Sequence, residues 1–127
     1  LKVRTVAGSR AGQLVYYERP DVASVKESTV LLAVLDDAKA ILDIFRRAFP
    51  VQAEVRKTRE IYLYRGVQVH LDTVPGLGKF IEFEKVLKNE SERETARKEL
   101  DTIRGYFQIP DEDLMASSYS DLVEPRV

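Results

Sequence analysis

Charged residues two positions apart recur in the segments of this chain that read as strands, and they define the chemistry available to it. Lys2 and Arg4, Lys57 and Arg59, and Glu82 and Glu84 form such pairs, and Asp72 stands two residues after His70. Side chains alternate along a strand, so residues two apart share a face. Leu1, Val3 and Thr5 then oppose Lys2 and Arg4, while Val55 and Ile61 flank Lys57 and Arg59 on their own face. Ile81 and Phe83 oppose Phe80, Glu82, Glu84 and Val86, and Val69 and Leu71 oppose His70 and Asp72. Two geometries give this pattern. A one-sided antiparallel sheet turns its charged face to water. A sheet packed outside by helices and curled around a polar interior, as in a closed barrel, encloses it instead. The enclosed version sets the cations Lys2, Arg4, Arg19, Lys57 and Arg59 alongside the acids Asp72, Glu82 and Glu84. Lysine and arginine bind phosphate oxygens by charge and by forked hydrogen bonds. Clustered carboxylates suit Mg²⁺, which takes a few carboxylates together with substrate phosphates. Cations for phosphate and carboxylates for metal imply a polyphosphate substrate.

The elements that must position these residues are legible from periodicity and punctuation. Strands are expected over Leu1–Val6, Leu14–Arg19, Thr29–Leu35, Glu54–Tyr64, Val67–Val74 and Lys79–Val86. Pro20 ends the second of these, since proline cannot continue a ladder. The third is a continuous apolar run, as in a strand covered on both faces. Arg65-Gly66 and Pro75-Gly76-Leu77-Gly78 read as antiparallel connections. Asp36 and Asp37 cap a helix over Ala38–Ala48, with Ile41, Leu42, Ile44, Phe45 and Ala48 as its apolar stripe, and Pro50 stops it. Ser91-Glu92-Arg93-Glu94 is a capping box, and Ala96, Leu100, Ile103 and Phe107 give Glu92–Phe107 an apolar helical face. One further turn over Asp111–Ala116 and a tail strand over Ser117–Val123 complete one α+β domain spanning residues 1–127.

Composition removes several classes of function. The chain has 127 residues, 20 Lys and Arg against 21 Asp and Glu, net charge −1, one histidine and no cysteine. Lack of cysteine removes disulfides, thiolate metal sites and cysteine nucleophiles, and one histidine removes multi-histidine metal sites. The near-neutral balance argues against a nucleic-acid partner, and the longest apolar run, Val30 to Leu35, is too short to span a membrane. With no secretory signal, a cytoplasmic location is expected. Gly76-Leu77-Gly78-Lys79 is not a phosphate loop: Thr73 stands at the first glycine position and Phe80 at the hydroxyl position. His70 reads as a strand residue rather than a general base. The chain opens inside a strand-like run with no methionine, so preceding residues are expected.

Val55-Arg56-Lys57-Thr58-Arg59, Val69-His70-Leu71-Asp72-Thr73-Val74 and Gly76-Leu77-Gly78-Lys79-Phe80-Ile81-Glu82-Phe83-Glu84 together resemble the CYTH superfamily. These triphosphate tunnel metalloenzymes include class IV adenylyl cyclases, thiamine triphosphatases and inorganic triphosphatases. Leu1-Lys2-Val3-Arg4, Tyr17-Glu18-Arg19-Pro20-Asp21 and Ser118-Tyr119-Ser120-Asp121-Leu122 are similar to it as well, so the resemblance runs nearly end to end. The Gly-Leu-Gly-x-Phe-Ile-Glu-x-Glu segment and the tail lean towards the class IV cyclase branch. The resemblance implies an eight-stranded antiparallel tunnel with helices outside, a Mg²⁺ or Mn²⁺ cofactor, and a nucleoside or inorganic triphosphate as substrate. A homodimer is compatible with it. At matching positions Arg4, Arg19, Lys57 and Arg59, with Lys2, would hold phosphates. Glu82 and Glu84 would serve the metal, and Asp72 would position metal or the attacking group. The family's opening Glu-x-Glu-x-Lys strand does not occur in this sequence, which starts where the family's second strand would. The activity expected is conversion of ATP to cyclic AMP and pyrophosphate. The alternatives are hydrolysis of inorganic or thiamine triphosphate, and polyphosphate or nucleotide binding without turnover.

Overall fold

The structure, a computed structural model, describes residues 1–18, 27–115 and 119–122. Those residues fall into two compact units, one of residues 1–18 and 27–52 and one of residues 53–115 and 119–122. The architecture is α+β, and the described strands pair into two three-stranded antiparallel sheets. Among the described residues no helix is long and apolar enough to cross a membrane.

The first unit is a meander of β1 (Lys2–Thr5), β2 (Gly12–Glu18) and β3 (Thr29–Leu35), in that spatial order, followed by α1 (Ala38–Ala48). Its tightest point is Gly12. A β-carbon there would come within 2.3 Å of the Arg4 carbonyl oxygen and 2.5 Å of the Ala38 methyl. Only glycine opposite alanine lets the start of α1 approach β2 so closely. The helix N-terminus is fixed by Asp37, whose Oδ1 accepts the Ala40 amide at 3.0 Å while Oδ2 receives Arg10 Nη2 at 2.8 Å. Arg46 and Arg47 in the last turn complement the helix dipole. Phe49, extended as a residue before proline must be, closes the helix. β3 keeps its expected bounds but not its expected burial: every residue of it except Leu35 is exposed. It pairs with β2 alone among the described strands, and an apolar run does not reveal whether a strand is central or at an edge.

The second unit is the meander β4 (Thr58–Tyr64), β5 (Val67–Val74) and β6 (Gly78–Glu84), with β5 in the centre. Arg65 and Gly66 both take positive φ, 49° and 76°, the requirement of a two-residue hairpin turn between twisted strands. Val67 and Val69 are buried on one face of β5, and the neighbouring Phe83 of β6 stacks on Phe107 at the end of α2 (Arg93–Tyr106), with ring centres 5.4 Å apart. Ala96 and Ile103 are the buried residues of that helix, and Lys85 ties the end of β6 to its Glu99 at 3.3 Å.

Local differences from the sequence reading have identifiable causes. Glu54–Lys57 is not part of β4; Arg56 instead reaches back to Glu54 at 3.0 Å. Residues Glu90–Glu92 form a 3₁₀ turn that takes in Ser91, and its hydroxyl bonds Asn89 rather than capping α2. Glu92 takes the cap position, with its carboxylate accepting the Lys88 amide at 3.0 Å. The turn after α2 is a 3₁₀ turn limited to Asp111–Asp113. Tyr119–Leu122 is a helical turn, α3, not a strand, and the rest of the expected tail strand lies outside the described residues.

Candidate functional site

The register of the second sheet places a defined set of side chains on the face away from Val67, Val69 and Phe83. Arg59 pairs with Asp72, and Asp72 with Phe80; Ile61 pairs with His70, and His70 with Glu82; Gln68 pairs with Glu84. Two polar clusters lie along this face.

The first is built on Asp72, whose side chain is fully buried. Arg59 Nε donates to Asp72 Oδ1 and Arg59 Nη2 to Oδ2, each at 2.7 Å, a forked pair in which both carboxylate oxygens are engaged. Tyr119 Oη donates a third bond, to Oδ2, at 2.8 Å. The Tyr119 ring lies against Phe80, with centres 5.0 Å apart, and carries the Lys57 ammonium 5.4 Å from its own centre. Burial alone pushes the Asp72 carboxyl up, but the bonds from Arg59 and Tyr119 and the charges of Arg59 and Lys57 outweigh it, holding the group below the ordinary carboxylate value. The bond to Asp72 raises Arg59 correspondingly. Burial, then the bond to Asp72, pushes the Tyr119 hydroxyl well above the usual phenol range. All three groups are thus held in the charge state that keeps the cluster together.

The second cluster is His70, Glu82 and Glu84. One donor atom from each lies within 4.8 Å of the others, the spacing that a single metal ion requires of its ligands. His70 is 98% buried, being 2% exposed. Its Nδ1 is 3.3 Å from Glu82 Oε1 and makes no hydrogen bond, while Nε2 is bonded to Gln68 Oε1 at 2.9 Å. Glu82 and Glu84 are partly open to solvent, and Glu82 Oε2 also lies 4.0 Å from Arg59 Nη2, linking the two clusters. A buried nitrogen without a hydrogen bond beside two carboxylates fits a divalent cation.

The residues singled out from sequence therefore divide as follows. Lys57, Arg59, Asp72, Glu82 and Glu84 come together in the second unit. Asp72 is enclosed by Arg59 and Tyr119, and the described donor cluster holds His70 in addition to the two glutamates. Lys2 and Arg4 share a face of β1 in the first unit: Lys2 Nζ lies 4.9 Å above the Tyr17 ring, and Arg4 Nη1 donates to Gln13 Oε1 at 3.1 Å. Arg19 lies outside the described residues. Sequence reasoning passed over Tyr119 and Gln68 as site residues and treated His70 as structural. Tyr119 is 47 residues from the aspartate it bonds, so no local spacing announces it. Gln68 and His70 were open to discovery, because they share the face of Asp72 at i, i+2 steps.

Comparison with known proteins bears on the fold and the family of the chain. In the curated set, "Putative adenylate cyclase MJ0240" of Methanocaldococcus jannaschii is 27% identical over 110 residues, covering 85% of this chain and 63% of that protein. The chain thus spans less than two thirds of that relative's length. Among solved structures, a conserved hypothetical protein of Pyrococcus furiosus superposes with TM-score 0.81 at 24% identity, over 95% of this chain and 72% of the other. The PH1012 protein of Pyrococcus horikoshii gives 0.78 at 24% over 96% and 73%, and the PH1819 protein of the same organism 0.68 at 26% over 94% and 68%. The fold is theirs. The CYTH domain pattern matches residues 1–119, taking in every strand described above and both clusters of the second sheet, and the chain belongs to the CYTH domain family.

Proposed function

We propose that this chain processes a nucleoside triphosphate with a divalent cation, in the manner of the class IV adenylyl cyclases. The 3′-hydroxyl of ATP attacks the α-phosphorus, the bond to the bridging oxygen breaks, and cyclic AMP and pyrophosphate result. The observation that carries this reading is that two cations, Lys57 just before β4 and Arg59 within it, stand beside a cation-binding donor set, His70, Glu82 and Glu84. Membership of a family that binds triphosphates supports the substrate class, and the name of the M. jannaschii relative supports the cyclase within it.

In this reading Lys57 and Arg59 neutralise phosphate oxygens, with Lys2, Arg4 and Arg19 as further phosphate-binding cations. Asp72 fixes the Arg59 plane, so that the remaining guanidinium N–H groups are aimed before the substrate arrives. Glu82 and Glu84 hold the cation, Mg²⁺ or Mn²⁺, which when bound supplies positive charge to the phosphate oxygens. The same parts suit hydrolysis, in which water attacks the terminal phosphorus, and the choice turns on which end of the triphosphate faces the cation.

³¹P NMR of ATP, and separately of inorganic triphosphate, incubated with the protein and Mg²⁺ or Mn²⁺ tests this. Pyrophosphate together with a cyclic monophosphate signal supports the cyclase. Orthophosphate with ADP or pyrophosphate replaces it with a hydrolase. Broadening of the phosphate signals without turnover reduces the function to triphosphate binding.

A further inference from the structure

The donor cluster contains a nitrogen that a purely carboxylate cation site has no use for. His70 is the only histidine in the chain, is 2% exposed, and sits on the central strand directly across from Glu82. Gln68, two residues before it on the same face, presents its amide oxygen to His70 Nε2 at 2.9 Å. That contact fixes the ring orientation and turns the other nitrogen, Nδ1, towards Glu82. Nδ1 lies 3.3 Å from Glu82 Oε1, is buried, and makes no hydrogen bond. A divalent cation held between the imidazole and the carboxylate would accept from both. The outer ring nitrogen anchored to a polar acceptor is also the arrangement that orients a metal-ligating imidazole and raises its basicity.

We propose that His70 Nδ1 is a metal ligand, completing with Glu82 and Glu84 a mixed nitrogen–oxygen site that favours Mn²⁺ and later divalent transition metals over Mg²⁺, and that Gln68 positions the imidazole. Mg²⁺ is a hard ion that takes oxygen ligands, whereas imidazole nitrogen suits transition metals progressively better along the divalent series. This rests on the function proposed above only for the metal's role in turnover; binding itself is measured without substrate.

With one histidine, ¹⁵N-histidine labelling gives a single imidazole, and a long-range ¹H–¹⁵N spectrum reads both ring nitrogens without assignment ambiguity. Adding Zn²⁺ as a diamagnetic probe should move the Nδ1 resonance strongly and the Nε2 resonance far less. An Nδ1 unmoved at saturating Zn²⁺, or a shift at Nε2 instead, overturns the proposal. Calorimetric titrations of wild type and His70→Gln with Mn²⁺ and Mg²⁺ give the second readout. His70→Gln should weaken Mn²⁺ binding about tenfold or more and change Mg²⁺ binding far less. Equal losses for both ions, or none, also overturn it. Should His70→Gln fail to fold, the wild-type NMR result decides alone. Mn²⁺ binding that needs Glu82 but ignores His70 sinks this inference while sparing the proposed function. Turnover of neither triphosphate, beside a metal-shifted Nδ1, does the reverse.

Discussion

Asp72, Arg59 and Tyr119 show how a charged group becomes a structural fixture. Removing one partner of a buried ion pair leaves the other charge uncompensated, which costs about 3 kcal/mol or more, whereas an exposed pair contributes little. Asp72→Asn should therefore lower the thermal midpoint sharply. Tyr119→Phe, which deletes one of three hydrogen bonds, should cost about 1 kcal/mol. Equal effects of the two would mean that Arg59 finds another partner. Lys57 is exposed but lies over the Tyr119 ring and sets positive charge beside Asp72, so Lys57→Ala should lower the thermal midpoint less than Arg59→Ala does, while removing a charge-assisted contact worth about tenfold in triphosphate affinity. Arg59→Ala should reduce both affinity and stability. Isothermal titration with triphosphate and a melting curve separate the two residues, and unchanged affinity in both variants would reject the anion site. The charged residues of this cluster were legible because i, i+2 spacing on a strand is a geometric statement. What that spacing left out is the identity of each neighbour: Arg59 opposes Asp72 only through the β4–β5 register, which the positive-φ turn at Arg65-Gly66 fixes.

Among the elements, α1 was read from sequence with its correct bounds, because a capping aspartate and a terminating Phe49-Pro50 are local signals. The start of α2 was misplaced for the complementary reason: a Ser-x-x-Glu pattern states a preference, and the 3₁₀ turn before the helix overrode it. Asp37 gives a pH prediction. The Ala40 amide, then Arg10, hold its carboxyl below the usual value of 3.8, so the native state prefers the ionised form. The stability this adds is present above 3.8 and is lost as pH falls through the lower native value. Asp37→Asn keeps a capping oxygen but no titration, so the acid-induced loss of α1 should become shallower in circular dichroism below that pH. An identical acid limb in both proteins would assign the transition to other carboxylates. Gly12→Ala tests the β2–α1 contact. Its methyl meets backbone at 2.3 Å, so the substitution should cost more than the 1–3 kcal/mol typical of overpacking. A neutral effect would show that α1 rides freely over β2.

At the scale of the molecule, each meander leaves apolar strand residues exposed, Ile61 to Tyr64 of β4 in the second and most of β3 in the first. Val30, Leu31, Leu32 and Val34 are each more than half exposed along β3. An apolar strand edge that no described strand pairs is an association hazard, so Val34→Lys should raise solubility, measured as the concentration at which scattering begins, without lowering the thermal midpoint. The α+β class, six strands and two long helices were all legible from periodicity. Burial was not, because it depends on partners distant in sequence.

The face that carries the site has a charge balance with a thermodynamic consequence. Lys57 and Arg59 set two positive charges against the three carboxylates of Asp72, Glu82 and Glu84, so these five groups together carry one negative charge. A polyanion arriving alone meets a surface of its own sign, and a divalent cation reverses that sign before or as it arrives. Anion and cation are therefore cooperative ligands of each other, and the factor by which one sharpens the affinity of the other must be the same in both directions.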